Sequence, residues 1–312
     1  MMDAADLFAG LGGWTAAAAE AGVRVRLAAN HSPQACRWFQ RNHPDVVSVC
    51  QDLGEFDWTR LPDITDGFLL ASPACQGFST TSQGERTPRQ VRKHQRDRNT
   101  TWAVVAAADS QSPRCIVVEN VRQMLTWRLF PAWRGCLEAM GYHVTERVIN
   151  AHDYGSPQER HRAIVVASLD GPVELAPEWG EGPGAACVGD VLLDDQELPE
   201  GAWEDVSSKT PKMAHRMARA HRRSGRCLWN NVTDETERRL SQPSQTITTR
   251  SRGQLYLVDG ARCRRLMPRE QARLQGFPDT YRIPSAVTLA SKLIGNAIDL
   301  HVASGVLAQV AA

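Results

Sequence analysis

The chain has 312 residues, 42% of them hydrophobic and 23% charged, with a formal net charge of +1. That is enough chain for one large domain or two modest ones around a well-buried core, and the composition excludes disorder. No apolar run approaches membrane-span length. Met1-Met2-Asp3-Ala4-Ala5-Asp6 has no basic segment ahead of an apolar one. Neither a transmembrane helix nor a secretory signal is therefore expected, and a cytosolic location follows.

The first 170 residues read as alternating strands and helices. Ala4–Phe8 is a short apolar strand, followed by the turn Gly10-Leu11-Gly12-Gly13 and an Ala-rich helix from Trp14 to Ala21 that Gly22 stops. Val23–Ala29 predicts a second strand, Ser32–Asn42 a helix, Val46–Cys50 a third strand and Gly67–Ala71 a fourth. Thr80–Thr100 is polar, basic and glycine-containing, and reads as a mobile loop. Cys115–Val118 predicts a fifth strand, Phe130–Met140 a helix, and Tyr142–Ile149 and Ala163–Ser168 two more strands. Such alternation makes a mostly parallel sheet covered on both faces.

The pattern then breaks. Asp170–Asp205 holds eleven acids and no Lys or Arg, whereas Lys209–Arg226 holds seven Lys/Arg and no acid. Arg86–Arg98 adds six basic residues against one acid, Asp97. These basic stretches are solvated faces or surfaces for a polyanion. Pro211–Arg223 is a helix candidate, Gln242–Val258 reads as short strands and turns, and helical pattern returns at Pro268–Leu274 and Ala290–Val310. The eight cysteines, at 36, 50, 75, 115, 136, 187, 227 and 263, form no C-x-x-C pair, so no zinc site is expected and reduced thiols are the default.

Several residues carry chemistry. The glycine-rich turn at 10–13 lets a ligand approach the backbone, a feature shared by many nucleotide-binding sheets. Cys75, in Ser72-Pro73-Ala74-Cys75-Gln76-Gly77, stands just beyond a predicted parallel strand, where such sheets bind ligands, and a thiolate is a strong nucleophile. Glu119 ends another apolar strand. Burial there would raise its pKa and let a protonated carboxyl donate to a ring nitrogen. Arg160 and Arg162 are two apart, hence on one face if the segment is extended.

Together these segments resemble the DNA cytosine C5-methyltransferases. Phe8-x-Gly10-x-Gly12-Gly13, Cys75–Ser79, Glu119-Asn120-Val121, Gln158-x-Arg160-x-Arg162, Arg265–Pro278 and Gly295-Asn296-Ala297 occur in the family's order. The resemblance covers nearly all of the chain except about residues 170–240, the family's variable target-recognition region. It implies an α/β fold: a doubly wound, mostly parallel seven-stranded sheet of the Rossmann-like methyltransferase type, with a smaller target-recognition domain. The implied spans are 1–169 catalytic, 170–262 target-recognition, and 263–312 C-terminal, with the last helix packing back on the catalytic domain.

The implied reaction moves a methyl group from S-adenosylmethionine to C5 of a flipped-out cytosine in double-stranded DNA, through a covalent Cys75–C6 adduct. Glu119, Arg160 and Arg162 would complete the catalytic set. Phe8, Gly10, Gly12, Gly13, Trp14, Asn30, His31, Asp52, Leu53, Asn296 and Ala297 would hold the cofactor, and Gln76, Ser79, Thr81, Arg250 and Arg252 would meet DNA. The implied protein is a cytoplasmic monomer, bacterial or phage-encoded, with no metal and no membrane, in a modification or self-protection system.

Two positions depart from the family. The residue before the nucleophile is usually Pro and is Ala74 here, which frees the local backbone. The end of the second strand usually carries an acid for the ribose hydroxyls, and here carries Asn30, which binds without charge assistance. Weaker cofactor binding, or a modified cofactor, is the expectation. An RNA cytosine-5 methyltransferase and a non-catalytic DNA-binding homologue remain open. A Rossmann dehydrogenase is a poor fourth reading, because the turn is not G-x-G-x-x-G and no acid ends strand two.

Overall fold

A computed structural model describes residues 2–78, 87–176, 186–231, 237–249 and 255–311. The chain divides into two units. The first joins Met1–Asn150, His161–Glu178 and Val302–Ala312, and the second joins Ala151–Arg160 and Trp179–His301. The spans that the resemblance implies, 1–169, 170–262 and 263–312, are contiguous, whereas these two units interleave along the chain.

In chain order the elements begin β1 (Met2–Leu7), α1 (Gly13–Glu20), β2 (Val23–Asn30), α2 (Pro33–Asn42), β3 (Val47–Cys50) and β4 (Phe68–Ala71). They continue with α3 (Pro88–Asn99), α4 (Trp102–Gln111), β5 (Cys115–Val121), α5 (Phe130–Ala139), β6 (His143–Asn150), β7 (Gln158–Glu159) and β8 (His161–Ser168). Next come α6 (Val188–Val191), β9 (Glu204–Asp205), α7 (Pro211–Ser224), β10 (Cys227–Asn230), β11 (Glu237–Arg239) and β12 (Ser244–Gln245). The chain closes with β13 (Leu255–Asp259), β14 (Arg262–Arg265), α8 (Pro268–Leu274), α9 (Val287–Asn296) and α10 (Leu300–Val310).

The first unit holds a seven-stranded sheet in the order β3-β2-β1-β4-β5-β8-β6. β3 through β5 run parallel, and β8 is antiparallel to both β5 and β6. Continuous apolar runs explain the central strands: Leu69, Leu70, Val117 and Val166 are all fully buried, as strands covered on both faces require. Leu69, Ala71, Ile116, Val118, Val165 and Ala167 pack with Val104 and Ala107 of α4 and Trp133 and Leu137 of α5. Pairing aligns Leu7 with Ala71 and Ala71 with Val118. The segments after β1 and β4 and the last residues of β5 therefore emerge along one sheet edge, the carboxyl edge where such sheets bind ligands.

The second unit is built on a five-stranded antiparallel sheet, β11-β10-β13-β14-β9. The basic helix α7 buries Met217 and Ala220 against Trp229, Tyr256, Val258 and Cys263 of this sheet. Part of the sequence's charge asymmetry is neutralised inside the unit. Glu204 pairs with Lys209, Asp195 lies 3.5 Å from Arg262, and Glu237 lies 2.7 Å from Arg223.

Three expectations change. The polar stretch 80–100 is not all loop: Pro88–Asn99 forms α3, started by a capping box in which Thr87 and Gln90 satisfy each other's backbone N–H. The apolar C-terminal stretch is two helices rather than one, interrupted between Asn296 and Leu300. Its length and hydropathy pass for a membrane span, yet its most apolar window is 67% buried. Arg160 and Arg162 do not share an extended face, because β7 ends at Glu159 and β8 starts at His161, leaving Arg160 between strands.

Candidate active site

The turn after β1 combines two unusual backbones. Gly10 and Gly12 have φ of 58° and 99°, and Phe8 itself stands at φ 61°, a left-handed conformation that costs a bulky residue of order 1–3 kcal/mol. α1 starts from Gly12 with no side-chain cap of its own. Asp6 supplies that function from inside the sheet: its carboxylate accepts the Thr15 hydroxyl at 2.7 Å and the Thr15 backbone N–H. Burial pushes the Asp6 pKa up to about 7. His43 also reaches the turn by a hydrogen bond to the Gly12 backbone, and burial lowers its pKa to about 4. Neither role was visible in the sequence, because each joins a turn to a residue on another element.

Cys75 opens a short 3-10 turn, Cys75–Gly77, just after β4. Three bonds fix this segment. Trp14 of α1 donates its indole N–H to Ser72 Oγ at 3.0 Å. Asn120 Nδ2 donates to the Pro73 carbonyl at 3.0 Å. Ala74 N–H donates to Thr100 Oγ1 at 3.2 Å. α3 packs against the turn so closely that a Cβ on Gly77 would lie 2.6 Å from the His94 carbonyl and 2.8 Å from the Arg98 nitrogen. Only glycine fits there. The other cysteines offer poorer nucleophiles where burial raises them: Cys36 and Cys115 are pushed up to about 12 and Cys227 to about 11.

Glu119 lies within β5 rather than at its end, and is 6% exposed. It is not alone there. Arg162 of β8 places Nε 2.9 Å from Glu119 Oε1. In the β5–β8 ladder Glu119 faces Ile164 and Val121 faces Arg162, so the ion pair is a diagonal contact on one face of the sheet. Asn120, bonded to Pro73, ties this strand to the Cys75 segment. The first unit thus gathers Cys75, Glu119 and Arg162 at its carboxyl edge.

Arg160 belongs to the second unit and is 2% exposed. Its guanidinium donates to the carbonyls of Ile247 and Ala297, both at 2.9 Å, and of Gly295 at 3.4 Å. Gly295 is itself pressed on backbone, since a Cβ there would lie 2.5 Å from the Thr248 carbonyl carbon. Gln158, also buried, accepts the Ile247 N–H and donates to the Leu274 carbonyl and Asp299. Within the second unit Arg160 is thus a hub joining distant backbone segments.

The residues proposed for the cofactor divide likewise. Phe8, Gly10, Gly12, Gly13, Trp14, Asn30, His31, Asp52 and Leu53 are in the first unit, and Asn296 and Ala297 in the second. Asn30 ends β2 with its side-chain oxygen accepting the Ser32 N–H at 2.9 Å, so its amide N–H group is the donor left to face a ligand. His31 is exposed. Asp52 is exposed and lies 3.7 Å from Arg96 of α3. Leu53 is buried beneath it. This donor set suits S-adenosylmethionine: the glycine turn lets a ligand approach the backbone at the start of α1, and Asn30 and Asp52 match hydroxyl and amino groups.

Of the residues assigned to DNA, Gln76 is exposed and accepts a hydrogen bond from Lys93 at 2.7 Å. Ser79, Thr81, Arg250 and Arg252 lie outside the described residues. Among the described residues no group of three or more His, Cys, Asp or Glu is placed to hold a metal ion.

Residues 2–312 match the family described as C-5 cytosine-specific DNA methylase. The chain is 28% identical to "Type II methyltransferase M.NlaX" of Neisseria lactamica, over 98% of this chain and 95% of that protein. It is 30% identical to "Type II methyltransferase M.AplI" of Arthrospira platensis, over 98% and 84%. Among solved structures, the Dnmt2 methyltransferase of S. pombe matches with a TM-score of 0.73 at 20% identity, covering 99% of this chain and 98% of that one. The methyltransferase EhMeth of Entamoeba histolytica matches at 0.72 and 15%, covering 98% and 96%. At those identities the likeness is one of fold. The chain belongs to the C-5 cytosine-specific DNA methylase family and is a DNA cytosine-5 methyltransferase that uses S-adenosylmethionine.

Proposed function

We propose that Cys75 is the nucleophile and that Glu119 and Arg162 act with it on a cytosine flipped out of the duplex. The observation that carries this reading is the pairing of Arg162 with Glu119 at 2.9 Å, beside a Cys75 segment bonded to the next residue, Asn120. C5 of cytosine is a weak nucleophile. Addition of the Cys75 sulfur to C6 moves ring electrons to C5 and makes it enamine-like. The carboxyl of Glu119 accepts from the exocyclic amine and holds the N3 edge, stabilising charge that develops on the ring. Arg162 fixes the orientation of Glu119. S-adenosylmethionine, when bound, supplies the electrophilic methyl group. Loss of the C5 proton to a base or water then restores the ring and expels the Cys75 thiolate. A stacked base exposes no path to C6, so flipping is required, at a cost of a few kcal/mol.

Phe8, Gly10, Gly12, Gly13 and Trp14 would hold the methionine part, Asp52 the adenine, and Asn30 the ribose. Asn30 offers a donor where a carboxylate would accept. A ribose hydroxyl can then accept from it, without charge assistance. Weaker binding of S-adenosylmethionine, or use of a modified form, follows. An unchanged cofactor dissociation constant in Asn30→Glu overturns this point. The second unit would read the target sequence through the basic segment 209–226 and the segment 246–252, of which residues 250–252 lie outside the described ones. The names of the relatives support a role in restriction-modification, and the reading adds a monomer in a bacterial cytoplasm or in the host of a phage.

The experiment is nucleoside mass spectrometry of duplex DNA after incubation with the protein and S-adenosylmethionine. 5-Methylcytosine is expected with the native protein and none with Cys75→Ala, which should still bind DNA. Turnover by Cys75→Ala overturns the assignment.

A further inference from the structure

We propose that Thr100 is a positioning residue for Cys75, acting through the backbone N–H of Ala74; this rests on the reading of Cys75 as nucleophile. Thr100 caps the C-terminus of α3. Its hydroxyl hydrogen is committed, because Oγ1 donates to the Asp97 carbonyl at 2.7 Å. A hydroxyl has one donor and two acceptor sites, so the lone pairs remain, and one of them receives the Ala74 N–H at 3.2 Å. The hydroxyl therefore has one defined orientation, and it fixes the residue directly before the nucleophile.

Other bonds between α3 and this turn act elsewhere. Lys93 reaches the Gln76 side chain at 2.7 Å, and Arg98 reaches the Gly77 carbonyl at 2.9 Å. Thr100 instead holds the residue directly before Cys75, one position on from the Pro73 carbonyl that Asn120 holds. An alanine has a free φ in the unfolded chain, and here φ is −54°, a value that a proline ring would also impose. Ala74 has the N–H that proline lacks, and Thr100 uses it. Hydrogen bond and ring are thus two routes to the same constraint, and they should substitute for one another.

The test is a double-mutant cycle. Thr100→Val keeps the shape and removes the hydroxyl. It is expected to lower kcat roughly ten- to a hundredfold, as a misplaced reacting atom does, with little change in KM for DNA or cofactor. Thr100→Ser should restore kcat. In an Ala74→Pro background, Thr100→Val should cost about twofold or less. A second readout does not need turnover: alkylation of Cys75 by iodoacetamide, followed on its peptide by mass spectrometry. In Thr100→Val it should rise about fivefold, the equivalent of one net hydrogen bond, with Cys50 unchanged as the internal reference. Native kcat and alkylation in Thr100→Val overturn the proposal. So does a Thr100→Ser as impaired as Thr100→Val, or an equal cost in both backgrounds. Should Thr100→Val not fold, the Ala74→Pro/Thr100→Val protein decides: folded and active supports the proposal, folded and inactive overturns it. Failure of the nucleophile reading shows itself separately, as turnover by Cys75→Ala.

Discussion

Arg162 holds Glu119 across two antiparallel strands, Nε to Oε1 at 2.9 Å, with both side chains largely withdrawn from water. Removing one partner of such a pair leaves the other charge buried and alone, which costs about 3–5 kcal/mol. Arg162→Ala should therefore lower the melting temperature as well as activity. Glu119→Gln keeps the size and can still accept from Arg162, so its loss should fall mainly on kcat, by roughly a hundredfold. Thermal melts beside steady-state methyl transfer separate the two. Equal destabilisation by both variants would refute the distinction.

Arg160 has a different fate from its neighbour two residues on. Its fork is spent on the carbonyls of Ile247, Gly295 and Ala297. A lysine cannot reproduce a planar fork that serves several carbonyls at once. Arg160→Lys is expected to lose stability by about 2–3 kcal/mol, from hydrogen bonds of a charged donor left unmade. Denaturant unfolding measures this. Native stability with a collapsed kcat would return Arg160 to the catalytic set that the sequence suggested.

Gly77 is where α3 meets the Cys75 turn. A methyl there would lie 2.6 Å from the His94 carbonyl and 2.8 Å from backbone nitrogen of Arg98, neither of which can rotate away. Gly77→Ala should push α3 off the turn, with a penalty of about 1–3 kcal/mol and a kcat loss of tenfold or more, since the Thr100 contact goes with it. Native kcat in a correctly folded Gly77→Ala would show that the turn does not depend on α3.

Asp6 makes stability depend on pH. Its folded pKa is about 7 against an unfolded value of 3.8. Between those values the folded chain keeps a proton that the unfolded chain releases, so stability falls as pH rises from about 4 to about 7, by an amount on the order of a few kcal/mol. Asp6→Asn still accepts from Thr15 and has nothing to titrate. It should be more stable than the native protein at pH 8, and its stability should be flatter between pH 4 and 7. Urea midpoints across that range test this. An unchanged slope would place the titrating group elsewhere.

The strands of the parallel sheet were legible because each is a short, unbroken apolar run such as Phe68-Leu69-Leu70-Ala71, and a strand buried on both faces needs nothing else. Gly10 and Gly12 announced a turn through the positive φ that they adopt. Cys75 and Glu119 could be placed at the carboxyl edge because they follow or end such runs. α3 was hidden by its composition: Arg89, Lys93, Arg96 and Arg98 carry no apolar stripe to betray a helix, and the capping box at Thr87 was its one local signal. Asp6 lay in an apolar strand where nothing local named its partner.

The sequence by itself thus determined the sheet, the glycine turn and the chemical types at the edge, since these follow from local polarity and local backbone freedom. The tertiary structure decided where the bonds of polar side chains go. Arg160 and Arg162 are two residues apart, yet one reaches Ala297, 137 positions away, and the other Glu119. Thr100 serves Ala74 from 26 positions away. A buried polar group must find a partner, but which partner depends on which backbone segments packing brings within about 3 Å, and that is a property of the folded chain alone.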